Sequence, residues 1–90
     1  MKIITKYSLD AHKQGDKSTI PLPMGSNVLF FKQIGQEYFL WAECETGTPL
    51  TQNRHFRVFQ DEESIPPEFR YAATTIIMGG RAKHLYERAM

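Results

Sequence analysis

Residues 28–44 read VLFFKQIGQEYFLWAEC, and no other stretch of the chain restricts the fold as tightly. Two runs rich in β-branched and aromatic side chains flank Gln33-Ile34-Gly35-Gln36, where Gly35 is free to take a positive φ. This pattern predicts a β-hairpin. Along 37–44 one face carries Tyr38, Leu40, Ala42 and Cys44, and the other Phe39, Trp41 and Glu43. Along 28–32 the two faces are Val28 and Phe30 against Leu29 and Phe31. An antiparallel strand with one wet face alternates apolar and polar residues, and these two do not. Both are therefore expected to be central strands, buried on both sides. A chain of 90 residues has little material to cover both faces of one sheet. A sandwich, a barrel-like wrap or a second subunit has to supply the cover. Because large open apolar patches are rare in monomers, a homodimer or higher homo-oligomer is expected. Phe31, Phe39 and Trp41 are its candidate interface residues.

The same punctuation runs through the rest of the sequence. Strands are predicted at 2–8, 17–21, 54–60, 70–78 and 81–87, in addition to 28–32 and 37–44. Pro21 and Pro23 are expected to end the second strand, and PLPMGSN, 21–27, cannot be helix interior. The polar segment 9–16 and the stretch 45–53 read as loops, as does DEESIPPEF, 61–69, which has room for one 3₁₀ turn. Gly79-Gly80 lies between apolar runs and reads as a hairpin turn. A phosphate loop would need a longer glycine pattern leading into a helix. The terminal RAKHLYERAM is taken as strand, with a short helix as the alternative because its residues are good helix formers. The connections are too short for parallel crossovers. The fold class is thus all-β and mostly antiparallel: one small domain over 1–90, sandwich or barrel-like, with about six to seven strands.

Charge and cysteine usage narrow the function. Net charge is +1, and the chain has one cysteine. Residues 1–53 carry five Lys and five acids, and 54–90 carry six Lys/Arg and five acids. Neither half has the electrostatic footprint of a general nucleic-acid binder. A lone Cys44 allows no intrachain disulfide and fits a reducing compartment. Flanked by Glu43 and Glu45, it lacks the electropositive setting of a nucleophile and reads as a core or strand-edge residue. The N-terminal apolar stretch is too short and interrupted for a signal peptide or membrane span, so a cytoplasmic protein without membrane association is expected.

The residues with chemistry are few. His12, His55 and His84 show neither HxxxH nor HExxH spacing, and no CxxC accompanies them. No metal or other cofactor is expected. Paired carboxylates in an apolar setting and a Ser/His/Asp order are both missing, so no enzyme is expected. What remains is a set of cations among aromatics. Arg54 shares a strand face with Phe56 and Val58, and His55 and Arg57 share the other with Phe59. Arg54, His55, Arg57, Arg81 and His84 are the candidate ligand-binding residues, with Arg70 and Lys83 nearby in sequence. Stacking plus bidentate contacts of this kind suit a nucleotide or phosphate. The alternative is that these are solvated charges protecting strand edges.

Several short motifs come in a fixed order: KYSL at 6–9, TIPLPMGSNVL at 19–29, LWA at 40–42, RHFRV at 54–58 and HLYE at 84–87. This series resembles a group of small uncharacterised bacteriophage and prophage proteins. Their pattern is K-Y-x-L, I-x-x-P-x-G-A-x-I-L, L-W-A, R-x-F and H-x-F/Y-E. The resemblance spans nearly the whole chain. Ser26 stands where the group has Ala, and DEESIPPEF replaces a stretch that is often G-T-G-H there. The resemblance implies a protein made in the host cytoplasm that acts by binding a host factor or a small ligand, for example in antagonism of a host defence. It brings no catalytic residue. A nucleotide or nucleic-acid binder using the Arg/aromatic strand face is the alternative.

Overall fold

The β4–β5 hairpin, Asn27–Ile34 and Glu37–Glu45, forms as the sequence demands, and Gly35 takes φ 63° at its turn. The structure is a computed structural model, and it describes residues 1–77 and 79–89. The other strands are β1 (Lys2–Ser8), β2 (Lys13–Gln14), β3 (Lys17–Pro23), β6 (Thr51–Gln60), β7 (Phe69–Ile76) and β8 (Ala82–Arg88). A 3₁₀ turn occupies Asp10–His12, in the first polar loop rather than in 61–69. All strand pairs are antiparallel and form two sheets, of order β1-β5-β4 and β2-β3-β6-β8-β7. The chain is therefore all-β and two-layered, without barrel closure. The eighth strand beyond the expected six to seven is the two-residue β2.

Residues 82–88 are strand, not helix, because β8 is the hydrogen-bonded neighbour of both β6 and β7. Tertiary pairing outweighs a propensity difference of a few tenths of a kcal/mol per residue. The hairpin before it closes through Gly80 N–H to Ile77 O (3.1 Å) and Ile77 N–H to Arg81 O (2.8 Å). Gly79 and Gly80 both have positive φ. The strand expected over 70–78 ends at Ile76, and Met78 lies outside the described residues. Pro21 and Pro23 do not end β3, which pairs with β6 through Pro23↔Thr51. β3 lies next to the sheet's end, where a proline nitrogen can face the open side without costing a ladder bond.

Leu9, Ile20, Leu22, Phe31, Leu40, Ala42, Phe56 and Leu85 form the core between the sheets. Seven large side chains are almost wholly buried: Phe31, Phe56, Phe59, Ile20, Leu22, Leu40 and Leu85. Phe56 and Phe59 point to opposite faces of β6 yet are both 0% exposed. Phe56 faces the other sheet. Phe59 is covered on the outer side by Phe69 and Tyr86, with ring centroids at 5.5 and 5.4 Å, and by the Arg57 guanidinium at 4.5 Å. The five-stranded sheet thus carries a second, smaller apolar cluster.

Two expectations need correction. β5 is central, but β4 is an edge of its own sheet and runs beside β7. Phe31, expected at an interface, is 1% exposed inside the sandwich, since it pairs with Leu40 on the inner face. The register shift between Val28 and Phe30 causes this. The extra residue, Leu29, reverses the alternation and leaves Phe30 on the outer face and Phe31 on the inner one.

Candidate functional site

The outer face of the three-stranded sheet is built by register. Trp41 pairs with Lys6 on one side and Phe30 on the other, and Phe39 pairs with Ser8 and Lys32. Phe30 and Phe39 pack against Trp41 with centroids at 5.4 and 6.4 Å. Ile4, Phe30 and Ile34 on this face are 59%, 52% and 48% exposed. Lys6 Nζ sits 4.9 Å from the Phe39 ring centre, and Lys2 pairs with Glu43 at 3.5 Å. The result is a flat apolar strip with an aromatic centre and a rim of both signs. Nothing among the described residues covers it, because the other sheet packs on the opposite side.

The five cation and histidine candidates do not form one site. Arg54 faces inward. It donates to Glu87 Oε2 and Oε1 at 2.5 and 2.6 Å, and to the carbonyl of Ser26. Its side chain is 16% exposed and that of Glu87 23%. The three short motifs PMGS, RHF and HLYE therefore meet in one partly buried ion pair. It ties β6 and β8 to the loop before β4. Glu87 is the residue that sequence reasoning missed, since nothing local links it to a position 33 residues away.

His55, Arg57 and His84 face outward. His55 Nδ1 is 2.9 Å from Thr19 Oγ1. Arg57 bridges Asp16 (3.5 Å) and Glu63 (3.2 Å). His84 is opposite Phe59, four residues along β6 from His55, or about 13 Å at the usual strand rise. The two histidines therefore share no site. Arg81 lies at the far end of the sheet, beside the β7–β8 turn.

His84 does belong to a relay. Its Nε2 is 2.8 Å from Asp61 Oδ1, its Nδ1 is 3.0 Å from Thr74 Oγ1, and Tyr71 OH is 2.8 Å beyond. A carboxylate only accepts, so Nε2–H donates to Asp61. In the neutral ring Nδ1 then accepts from the Thr74 hydroxyl. The hydrogen bond from His84 holds the Asp61 carboxyl below its usual range. Carboxylate, imidazole and hydroxyl in line resemble an activated nucleophile. These residues, however, line neither of the two clefts described next, and the Asp61 side chain is 63% exposed.

One cleft, of about 260 Å³, opens beside the 3₁₀ turn. Leu9, Tyr38, Phe56 and Val58 line it together with charged groups, Asp10, Lys13 and the Arg57 guanidinium with its partners Asp16 and Glu63. Asp10 Oδ2 accepts from Tyr38 N–H at 2.7 Å. Burial, and then the charge of Asp10, push the Tyr38 phenol above its usual pKa. The second cleft, about 450 Å³, lies between the β4–β5 and β7–β8 turns and includes Lys32 and Arg81. Among the described residues no group of three or more His, Cys, Asp or Glu is placed to hold a metal ion. No helix among them is long and apolar enough to cross a membrane.

The fold and surface thus define a two-sheet antiparallel β protein with an aromatic sheet face that is uncovered among the described residues. A family model described as a domain of unknown function (DUF7352) matches residues 1–90, and the chain belongs to that family. No curated protein and no solved structure matches it significantly.

Proposed function

We propose that this chain is a small, non-enzymatic binding protein whose working surface is the outer face of the three-stranded sheet. The observation that supports this is the half-exposed run of Ile4, Phe30 and Ile34 around Trp41 and Phe39. A small molecule needs concavity to bury most of its surface. A flat aromatic strip with a polar rim suits a protein surface instead, and Trp is the residue type most enriched among energetic anchors. A host factor in the cytoplasm of an infected cell is the partner suggested by the likeness to phage proteins. The nucleotide alternative draws less support from the geometry. Glu87, Asp16 and Glu63 already neutralise Arg54 and Arg57.

The test compares parent, Phe30→Ser and Trp41→Ala as bait in host lysate, with cross-link mapping of what is retained. Phe30 is more than half exposed, so its replacement leaves the core intact. A protein cross-linked next to β4 or β5 and lost at least tenfold in both variants is the expected result. Equal retention by all three baits overturns the proposal.

A further inference from the structure

The sheet edges of this chain are not treated alike. β3 carries Pro21 and Pro23, β4 has a bulge at Leu29 and runs beside β7, and β7 has a register shift between Tyr71 and Ala73. Prolines, bulges and covering segments are the usual ways of blunting an edge. β1 has none of these three, and of the blunting devices it carries only Lys2 and Lys6, whose long stems can lie over a neighbouring strand. It pairs with β5 over seven consecutive residues without a register shift, and no strand pairs with its other side among the described residues. Leu9 N–H donates to Tyr38 O, and Met1 O accepts from Thr46 N–H. Odd-numbered residues therefore bond to β5. Lys2, Ile4, Lys6 and Ser8 turn their backbone groups to the open side. Ile3 and Ile4, on opposite faces of this strand, are 47% and 59% exposed.

We infer that β1 pairs antiparallel with β1 of a second copy of this chain, on a two-fold axis at Thr5. Overlap and charge together select this register, since an axis at Ile3 or Tyr7 pairs only the three residues nearest one end of the strand. An axis at Ile4 sets Lys2 opposite Lys6 of the other copy, and an axis at Lys6 sets that lysine opposite itself; both are repulsive. The axis at Thr5 sets Ile4 opposite Lys6, Ile3 opposite Tyr7 and Lys2 opposite Ser8. The Lys6 stem then covers the exposed Ile4, on the side of Glu43, the β5 neighbour of Ile4. The outward backbone groups of both copies are satisfied, and two three-stranded sheets become one of six. The two aromatic strips lie side by side on its outer face. This pairing takes only Ile4 from the strip and leaves Phe30, Ile34, Phe39 and Trp41 open, so it stands or falls separately from the partner proposed above.

Sedimentation velocity over a wide concentration range tests it, with two variants. Lys6→Pro removes an outward N–H that the β5 ladder does not use. The parent is expected to run as a dimer and Lys6→Pro as a folded monomer, with folding checked by near-ultraviolet circular dichroism. In a Cys44→Ala background, Thr5→Cys faces its own copy across a non-hydrogen-bonded pair, at about 4.5 Å between Cα atoms, within disulfide reach. Oxidation is expected to link most Thr5→Cys chains and few Lys6→Cys chains. A parent that stays monomeric throughout overturns the inference. So does a folded Lys6→Pro dimer, or linking that favours Lys6→Cys. If Lys6→Pro does not fold, the cysteine pair decides.

Discussion

Glu87→Ala should unlock the seam that joins three segments of this fold. The substitution removes both acceptors of the Arg54 fork and leaves a guanidinium with one carbonyl partner, Ser26 O. Hydrogen bonds to charged groups contribute about 1.5–3 kcal/mol each, and breaking a buried pair from one side costs about 3–5 kcal/mol. Here the side chains are 16% and 23% exposed, so water recovers part of the loss. The low end applies, about 3 kcal/mol in all. For a domain of this size that is a fall in Tm of roughly 12–24 °C. Arg54→Met should cost a similar amount by stranding Glu87. The double variant Arg54→Met/Glu87→Leu should recover most of it, because an apolar pair of similar volume replaces the ions at little net cost. Urea melts of the parent, Arg54→Met, Glu87→Leu and the double variant give the cycle directly, with Glu87→Leu expected to lose about as much as Glu87→Ala. A loss of about 1 kcal/mol in the double variant, against about 6 for the sum of the singles, is the expected result, a coupling of about 5 kcal/mol. Additive losses, or a Glu87→Ala loss below about 0.5 kcal/mol, would refute the view that Arg54 holds the fold together and return it to the list of ligand candidates.

Other consequences are simpler to check. Leu40→Ala, in the middle of the core at 0% exposure, should cost about 2–5 kcal/mol and bring the chain close to unfolding at room temperature, as read by chemical melts. Gly35→Ala meets no neighbouring atom but forces φ 63° on a residue with a Cβ, so its melt should show a loss of about 1 kcal/mol. The lowered folded-state pKa of Asp61 adds stability that is present above the ordinary carboxylate value of 3.8 and fades as pH falls through the lower folded value. Asp61→Asn should flatten that part of the acid limb in melts between pH 2 and 5, by a small amount because the group is exposed. Burial raises the pKa of Tyr7 and Tyr38, so their contribution is whole below the ordinary value of 10.0 and lost as pH rises through the folded values. Ultraviolet titration should show two tyrosines ionising late, and Tyr38→Phe should remove one.

The sequence by itself determined where seven of the eight strands lie to within a few residues, although β2 falls in the expected 9–16 loop and β6 begins at Thr51, inside the expected 45–53 loop. Alternation, aromatic runs and the glycines at 35, 79 and 80 are local signals, and a strand or turn of a few residues answers to local signals. It also marked β5 as apolar on both faces, and Phe39 and Trp41 lie on the uncovered one. What it could not decide was which strand lies beside which. Leu29 reads as one more apolar residue, but as a bulge it exchanges the faces of Phe30 and Phe31 and moves one candidate interface residue into the core. The proline-bearing strand survives because its neighbour on one side is only two residues long. Arg54 looks like a free cation until β8 brings Glu87 to it, and Arg57 until β2–β3 and the acidic loop bring Asp16 and Glu63. Pairing between distant strands is settled by burial and hydrogen bonding summed over a whole sheet. No window of sequence contains that sum, which is why the strands were legible and the fate of the charges was not.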